Sequence, residues 1–287
     1  MRGGSLSVSR TVVLSDWHRA CCSDPSGCGV CMAIDRRTFL RLSAGTVAAS
    51  TALSAHSTSA SRAPWFEGIA FDAFAIFDPR PIAARAEEFF PGKGSQLSDL
   101  WRTRQFEYQW LRTLSGQYAD FWQTTDEALV FAARLLRLEL SVEKRSALMR
   151  TYHELKPWPD AVAVLRSLQR AGIRLAFLSN MTATMLENGL VNARLVDVFE
   201  YILTTDRVRR HKPDSRAYEM ATAAFKLPRE RILFVAFAGW DVAGAKWFGY
   251  PTYWVNRLNL PAEELGVGPD GQGKTLEDLL TFLATSP

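Results

Sequence analysis

Gly68-Ile69-Ala70-Phe71-Asp72-Ala73-Phe74 is a short apolar run that closes on an acid. It lies between Pro64 and Pro79 and reads as a buried strand. A buried strand carries no charge along its length, so Asp72 falls at its carboxyl end, where the chain leaves the sheet. In an open parallel sheet that edge is where ligands sit. A carboxylate there serves as a nucleophile, a metal ligand or a helix N-cap, and the stretch alone does not separate the three.

Outward from this run the chain changes rhythm twice. Residues 80–156 form a helical block, with helices expected over 95–113, 124–138 and 142–155. Leu97, Trp101, Tyr108 and Leu111 are expected to share one buried face, and Ala128, Phe131, Ala132 and Leu135 another. Such a block, inserted just after a strand-end acid, reads as a lid. From Pro159 helices and strands alternate: strands over 173–178, 201–203, 232–236 and 252–255, helices over 159–171, 182–190, 214–225, 241–248 and 276–284. That alternation predicts an α/β fold, a doubly wound parallel sheet with an inserted helical cap. The domain reading is a core over 63–79 and 157–287, with the cap over 80–156.

The strands end in polar residues: Asp72, then Ser179-Asn180, with Lys212 after the short strand and Asp241 after the fourth. Each has a plain structural role open to it, as a cap or a turn residue. Four at successive strand ends, all facing one crevice, point to a site.

The residues Phe71-Asp72-Ala73-Phe74, Leu178-Ser179-Asn180, Lys212-Pro213-Asp214 with Tyr218, and Gly239-Trp240-Asp241-Val242-Ala243-Gly244-Ala245-Lys246 together resemble the four motifs of the haloacid dehalogenase superfamily. Phe90-Pro91-Gly92-Lys93-Gly94, Leu100-Trp101-Arg102, Glu107-Tyr108-Gln109-Trp110-Leu111 and Tyr118-Ala119-Asp120-Phe121 resemble the cap of its L-2-haloacid dehalogenases. The resemblance spans about residues 66–265. It implies that Asp72 attacks the halogen-bearing carbon of a small 2-haloacid and that water then cleaves the ester. It assigns Arg102 and Asn180 to the departing halide. Ser179 falls to the substrate carboxylate, and Phe74, Phe121 and Trp240 to an apolar wall. Lys212 is to pair with Asp72, with Tyr218 ordering that network, and Asp241 is to help activate water. It also implies no metal or other cofactor, because the second acid of the superfamily's phosphatases is replaced by Phe74 and only Asp241 stands near the fourth motif.

The chain departs from the family pattern in three places, one of them the added bulk of Phe237, which favours a small substrate. After Asp72 the loop is one residue shorter and lacks the family's glycine and threonine, which predicts a different path for it. Ala236 and Ala238 stand where relatives carry Ser and Asn.

The N-terminal part reads separately. Residues 1–62 hold seven Arg and three Asp, leaving 27 basic against 27 acidic residues in 63–287. That neutrality argues against nucleic acid as a partner. Asp35-Arg36-Arg37-Thr38-Phe39-Leu40-Arg41 and the small-residue stretch after it resemble a twin-arginine export signal over 32–62, too weakly apolar for a stable membrane span. Residues 1–31 read as an extension ahead of a start at Met32. They carry all four cysteines, with no second ligand pair for a metal. The Trp- and Leu-rich cap suits either core packing or a homodimer surface. Gly268-Pro269-Asp270-Gly271-Gln272-Gly273-Lys274-Thr275 matches a phosphate loop in letters, but no strand is expected ahead of it, and Thr275 with Asp278 predicts a capping box instead.

Overall fold

The computed structural model describes residues 66–285; the expectations for 1–31 and 32–62 lie outside those residues. The opening run forms β1 (Gly68–Phe71). After it come a single helical turn, α1 (Ala73–Ile76), and then the helical insertion: α2 (Arg80–Phe89), α3 (Gly94–Ser115), α4 (Phe121–Leu135) and α5 (Val142–Arg150). The chain then alternates: α6 (Ala161–Arg170), β2 (Arg174–Ser179), α7 (Ala183–Ala193), β3 (Tyr201–Thr204), α8 (Ser215–Phe225), β4 (Ile232–Ala236), α9 (Gly239–Phe248), β5 (Thr252–Val255), β6 (Gly271–Gly273) and α10 (Leu276–Thr285).

The sheet is parallel throughout, in the order β3-β2-β1-β4-β5-β6. Phe71 pairs with Phe177 on one side and Val235 on the other, so the carboxyl ends of the three central strands open at one level. The winding reverses between β1 and β4, and that reversal places the ligand crevice beside Asp72. Alternate residues feed two apolar layers. Ile69, Phe71, Phe177 and Val235 pack toward one side, and Ala70, Leu178, Phe234 and Ala236 toward the other with α8 and α9. Among the described residues no helix is long and apolar enough to cross a membrane.

Two features differ from the sequence expectation. Leu111 is 60% exposed and Leu135 58%, so neither belongs to a buried face. The inward row of α3 is Leu97, Trp101, Gln105 and Gln109, and that of α4 includes Ala128, Leu129, Ala132 and Ala133. The inward row of α3 is polar at its far end because it meets polar partners. The second feature is β6, an edge strand of Gly-Gln-Gly that runs beside Tyr253–Val255. A side chain on Gly271 would lie 2.5 Å from the Phe282 ring, so only glycine lets α10 close over it. The capping box forms as expected: Asp278 Oδ2 accepts from Lys274 N and Thr275 N at 2.8 and 3.0 Å. Two amides that a phosphate loop would offer to a ligand are thereby used.

Candidate active site

Asp72 leaves β1 with its backbone N–H on Val235 O at 2.9 Å and N-caps α1 by accepting from Phe74 N at 3.1 Å. The cap role is therefore real. It occupies Oδ2 only, since Oδ1 accepts from Lys212 Nζ at 2.8 Å. The same ammonium donates to Asp241 Oδ2 at 2.5 Å, and Asp241 Oδ1 accepts from the Tyr218 hydroxyl at 2.6 Å. Lys212, Tyr218 and Asp241 are at most 1% exposed and Asp72 is 9% exposed. Gly244 permits this packing, because a Cβ there would stand 2.3 Å from the Tyr218 oxygen.

One cation thus serves two buried carboxylates. Burial alone would lower the Lys212 pKa, but Asp241 and Asp72 reverse that and hold it above the ordinary lysine value. Burial pushes Asp241 up to about 6; Lys212 opposes the rise and Asp72 adds to it. A step that needs ionised Asp241 loses about tenfold per pH unit below that value. We expect turnover to be flat from pH 7 to 8 and to fall along such a limb toward pH 5. The check is a kcat profile, in which Asp241→Asn should remove the limb together with most of the activity.

The other predicted residues fall in different settings. Asn180 is buried, accepts from Lys212 N at 2.9 Å and donates to Gln109 Oε1 at 2.9 Å. Ser179 accepts from Met181 N at 3.1 Å, which leaves its hydroxyl proton to donate, while Thr182 rather than Ser179 caps α7. Phe74 and Trp240 line a cavity of about 570 Å³ together with Arg102, Phe106, Trp110 and Phe237. The Asp72 carboxylate is not part of that wall. Phe74 and Phe237 sit with ring centres 6.0 Å apart, and Trp240 meets Phe106 and Trp110 edge-on at 5.2 and 5.7 Å.

Arg102 is exposed on the cavity wall and, among the described residues, has no hydrogen bond or ion pair. α3 lines the cavity from Ser98 to Trp110, and a guanidinium without a buried acid stays in water. Phe121, expected in that wall, is 1% exposed and packs on Tyr152 at 5.8 Å, behind the cavity wall, which Tyr152 occupies instead.

Two further residues of this region were given no role at the site by the sequence. Gln109 is fully buried and bridges the insertion to Asn180; its Nε2 has no partner among the described residues. His211, one residue before Lys212, is also fully buried. Its Nε2 lies 2.8 Å from Ala119 O and its Nδ1 3.3 Å from Thr205 Oγ1, and its N–H donates to Thr113 Oγ1 at 3.1 Å. Burial holds the ring down at about 4, so it is neutral, donating through Nε2 and accepting at Nδ1. The loop that carries Lys212 is therefore tied to α3 three times, through Arg210, which donates to Thr113 O, through His211 and through Asn180. A polar residue at a core spacing was the available signal for Gln109.

With this geometry in hand, the chain can be set beside known proteins. The family model for haloacid dehalogenase-like hydrolases matches residues 36–249. This chain belongs to the haloacid dehalogenase-like hydrolases. An (S)-2-haloacid dehalogenase of Pseudomonas sp. (strain YL) is 40% identical over 223 residues, covering 77% of this chain and 96% of that one. A crystal structure of an L-2-haloacid dehalogenase aligns with TM-score 0.75 at 42% identity, over 77% of this chain and 99% of that one. The L-2-haloacid dehalogenase of Xanthobacter autotrophicus, solved with chloropropionic acid covalently bound, aligns with TM-score 0.72 at 31% identity, over 77% and 100%. The haloacid dehalogenase-like fold is thus the frame in which Asp72, Lys212 and Asp241 meet.

Proposed function

We propose that this chain hydrolyses short 2-haloalkanoic acids to 2-hydroxy acids through an ester on Asp72. The observation that carries this is the Asp72 carboxylate at the β1 edge, bound by Lys212 Nζ at 2.8 Å, with Phe74 rather than a second acid two residues on. An Asp72 oxygen attacks the α-carbon; an O–C bond forms and the C–X bond breaks, the halide leaving with the electron pair. Water next adds to the Asp72 carboxyl carbon and gives its proton to Asp241. The 2-hydroxy acid then departs with an oxygen that began on Asp72.

Asn180 and Arg102 are assigned to the halide, where positive charge is needed only as the anion develops. Arg102 has no competing partner among the described residues and is available to turn inward. Ser179 and strand-end amides take the substrate carboxylate, and Phe74 and Trp240 keep water from the reacting carbon. Backside displacement inverts the α-carbon, and attack at the aspartyl carbonyl leaves it untouched, so an (S)-substrate gives the (R)-2-hydroxy acid.

The test is halide release from (S)-2-chloropropionate, with and without a chelator. Equal rates and an (R)-product are expected. No halide at any substrate concentration, or a rate abolished by chelation, overturns the proposal. We also propose that residues 32–62 direct export, on the strength of Arg36-Arg37 and the small-residue stretch behind them. Its test is the N-terminus of the protein recovered from the periplasm, expected near Ala60; a protein retained in the cytoplasm with its leader intact excludes it.

A further inference from the structure

The turn that carries Asp72 is one helical turn long, and its carbonyls find their partners elsewhere. Inside α1 the backbone bond that closes the turn is Phe77 N to Ala73 O at 2.8 Å. The next donor in line, Asp78 N, goes to Lys156 O at 2.9 Å, so Phe74, Ala75 and Ile76 present carbonyls with no amide ahead of them. Two residues from distant parts of the chain take all three. Trp158 donates its indole Nε1 to Phe74 O at 3.0 Å and its backbone N–H to Ile76 O at 2.8 Å. Arg257 Nη2 donates to Ala75 O at 3.2 Å.

These donors are themselves held. Trp158 is 6% exposed, with the guanidinium carbons of Arg80 and Arg257 at 4.7 and 4.6 Å from its ring centre. Arg257 pairs with Asp160 Oδ1 at 3.0 Å, and Asp160 Oδ2 accepts from the first amide of α10 at 2.6 Å. Trp158 also stands where the chain re-enters the sheet from the helical insertion: Phe77, on the way out, bridges Pro157, on the way back, in antiparallel sense. The indole therefore joins the two crossings to the turn that aims the nucleophile.

We propose that Trp158 is a positioning residue for Asp72, its indole N–H fixing the Phe74 carbonyl and with it the direction in which the carboxylate points. This rests on the reading of Asp72 as the nucleophile. Trp158 touches no reacting atom. It acts through Phe74, whose N–H binds Asp72 Oδ2 and whose ring lines the cavity. Attack on an sp³ carbon is sensitive to line of approach, whereas water adding to the ester carbonyl meets an atom already bonded to the protein. The indole bond should therefore matter for the first step and not for the second.

Trp158→Phe keeps an aromatic ring against the two guanidiniums and removes the indole donor. Rapid quench with (S)-2-chloropropionate, followed by mass spectrometry of the peptide holding Asp72, reads both steps. Ester formation should slow by roughly 10- to 100-fold, the cost of a misaligned attack. Ester hydrolysis and the substrate dissociation constant should stay at wild-type values, with an unfolding midpoint lowered by about 2–4 °C. Trp158→Tyr, which keeps a ring but no donor at the indole position, carries the same expectation and serves if the Phe variant does not fold. Ester formation at the wild-type rate overturns the proposal, and so does an equal slowing of both steps with a large fall in midpoint, which marks a purely structural residue. A wild-type protein that gives no adduct on this peptide overturns the nucleophile assignment instead, a different failure.

Discussion

Asp72→Asn should release no halide above background, a loss of about 10⁴-fold or more in kcat, because an amide offers no anionic oxygen to displace the leaving group. The substitution keeps the shape of the site. The one asparagine oxygen accepts from Phe74 N or from Lys212 Nζ but not from both, and Lys212 retains Asp241 at 2.5 Å, so folding should be little affected. Loss of activity with an unchanged circular dichroism spectrum and unfolding midpoint would place the defect in chemistry rather than in structure. The wild-type protein adds a stronger test. In a single turnover in ¹⁸O-water, the label should appear in Asp72 and not in the 2-hydroxy acid, since water attacks the aspartyl carbon. Label found only in product would mean that water attacks the substrate directly, and the ester mechanism would be wrong whatever the variant does.

How far this site could be read beforehand follows from what each residue depends on. Asp72, Ser179-Asn180 and Asp241 were legible because each breaks an apolar run at a point the strand pattern itself defines. Lys212 was legible as a polar residue after a strand, but its pairing with Asp72, like the part played by Tyr218, needed the motif resemblance: nothing local says that a lysine before a proline is 1% exposed between two acids. Gln109 was missed because its burial is set by Asn180, 71 residues away in the chain. The helix face was misjudged for the same reason. α3 has apolar residues on both sides, and which row turns inward is decided by what it meets. The short loop after Asp72 was flagged by the missing residue, but the devices that hold it, Trp158 and Arg257, come from segments whose only local signal is an aromatic after a proline and an arginine after a strand. β6 had no signal, since Gly-Gln-Gly lacks β-propensity and becomes a strand only by lying beside β5.

Lys212→Met should be the most damaging change to stability as well as to turnover. The ammonium is 2.8 Å from Asp72 and 2.5 Å from Asp241 and almost wholly out of water. Methionine fills much the same volume, so packing loss is minor. What remains is two buried acids without their cation. Breaking a buried ion pair in this way costs about 3–5 kcal/mol, chiefly through the uncompensated charge left behind. The sign of the pH dependence separates this account from a packing defect. Burial already raises Asp241 to about 6 with the cation present, and removing the cation drives Asp241 further up. An acid whose folded value lies above its unfolded one destabilises the fold above that folded value, and the penalty shrinks as pH falls and a proton is taken up. The deficit of the variant, measured by urea unfolding, should therefore be larger at pH 8 than at pH 5. A packing defect would be the same at both. Adding Asp241→Asn to the variant removes one of the two charges and should recover part of the lost stability at pH 8. Turnover should stay down by about 10³-fold in both, since the fixed positive charge beside the nucleophile is absent from each.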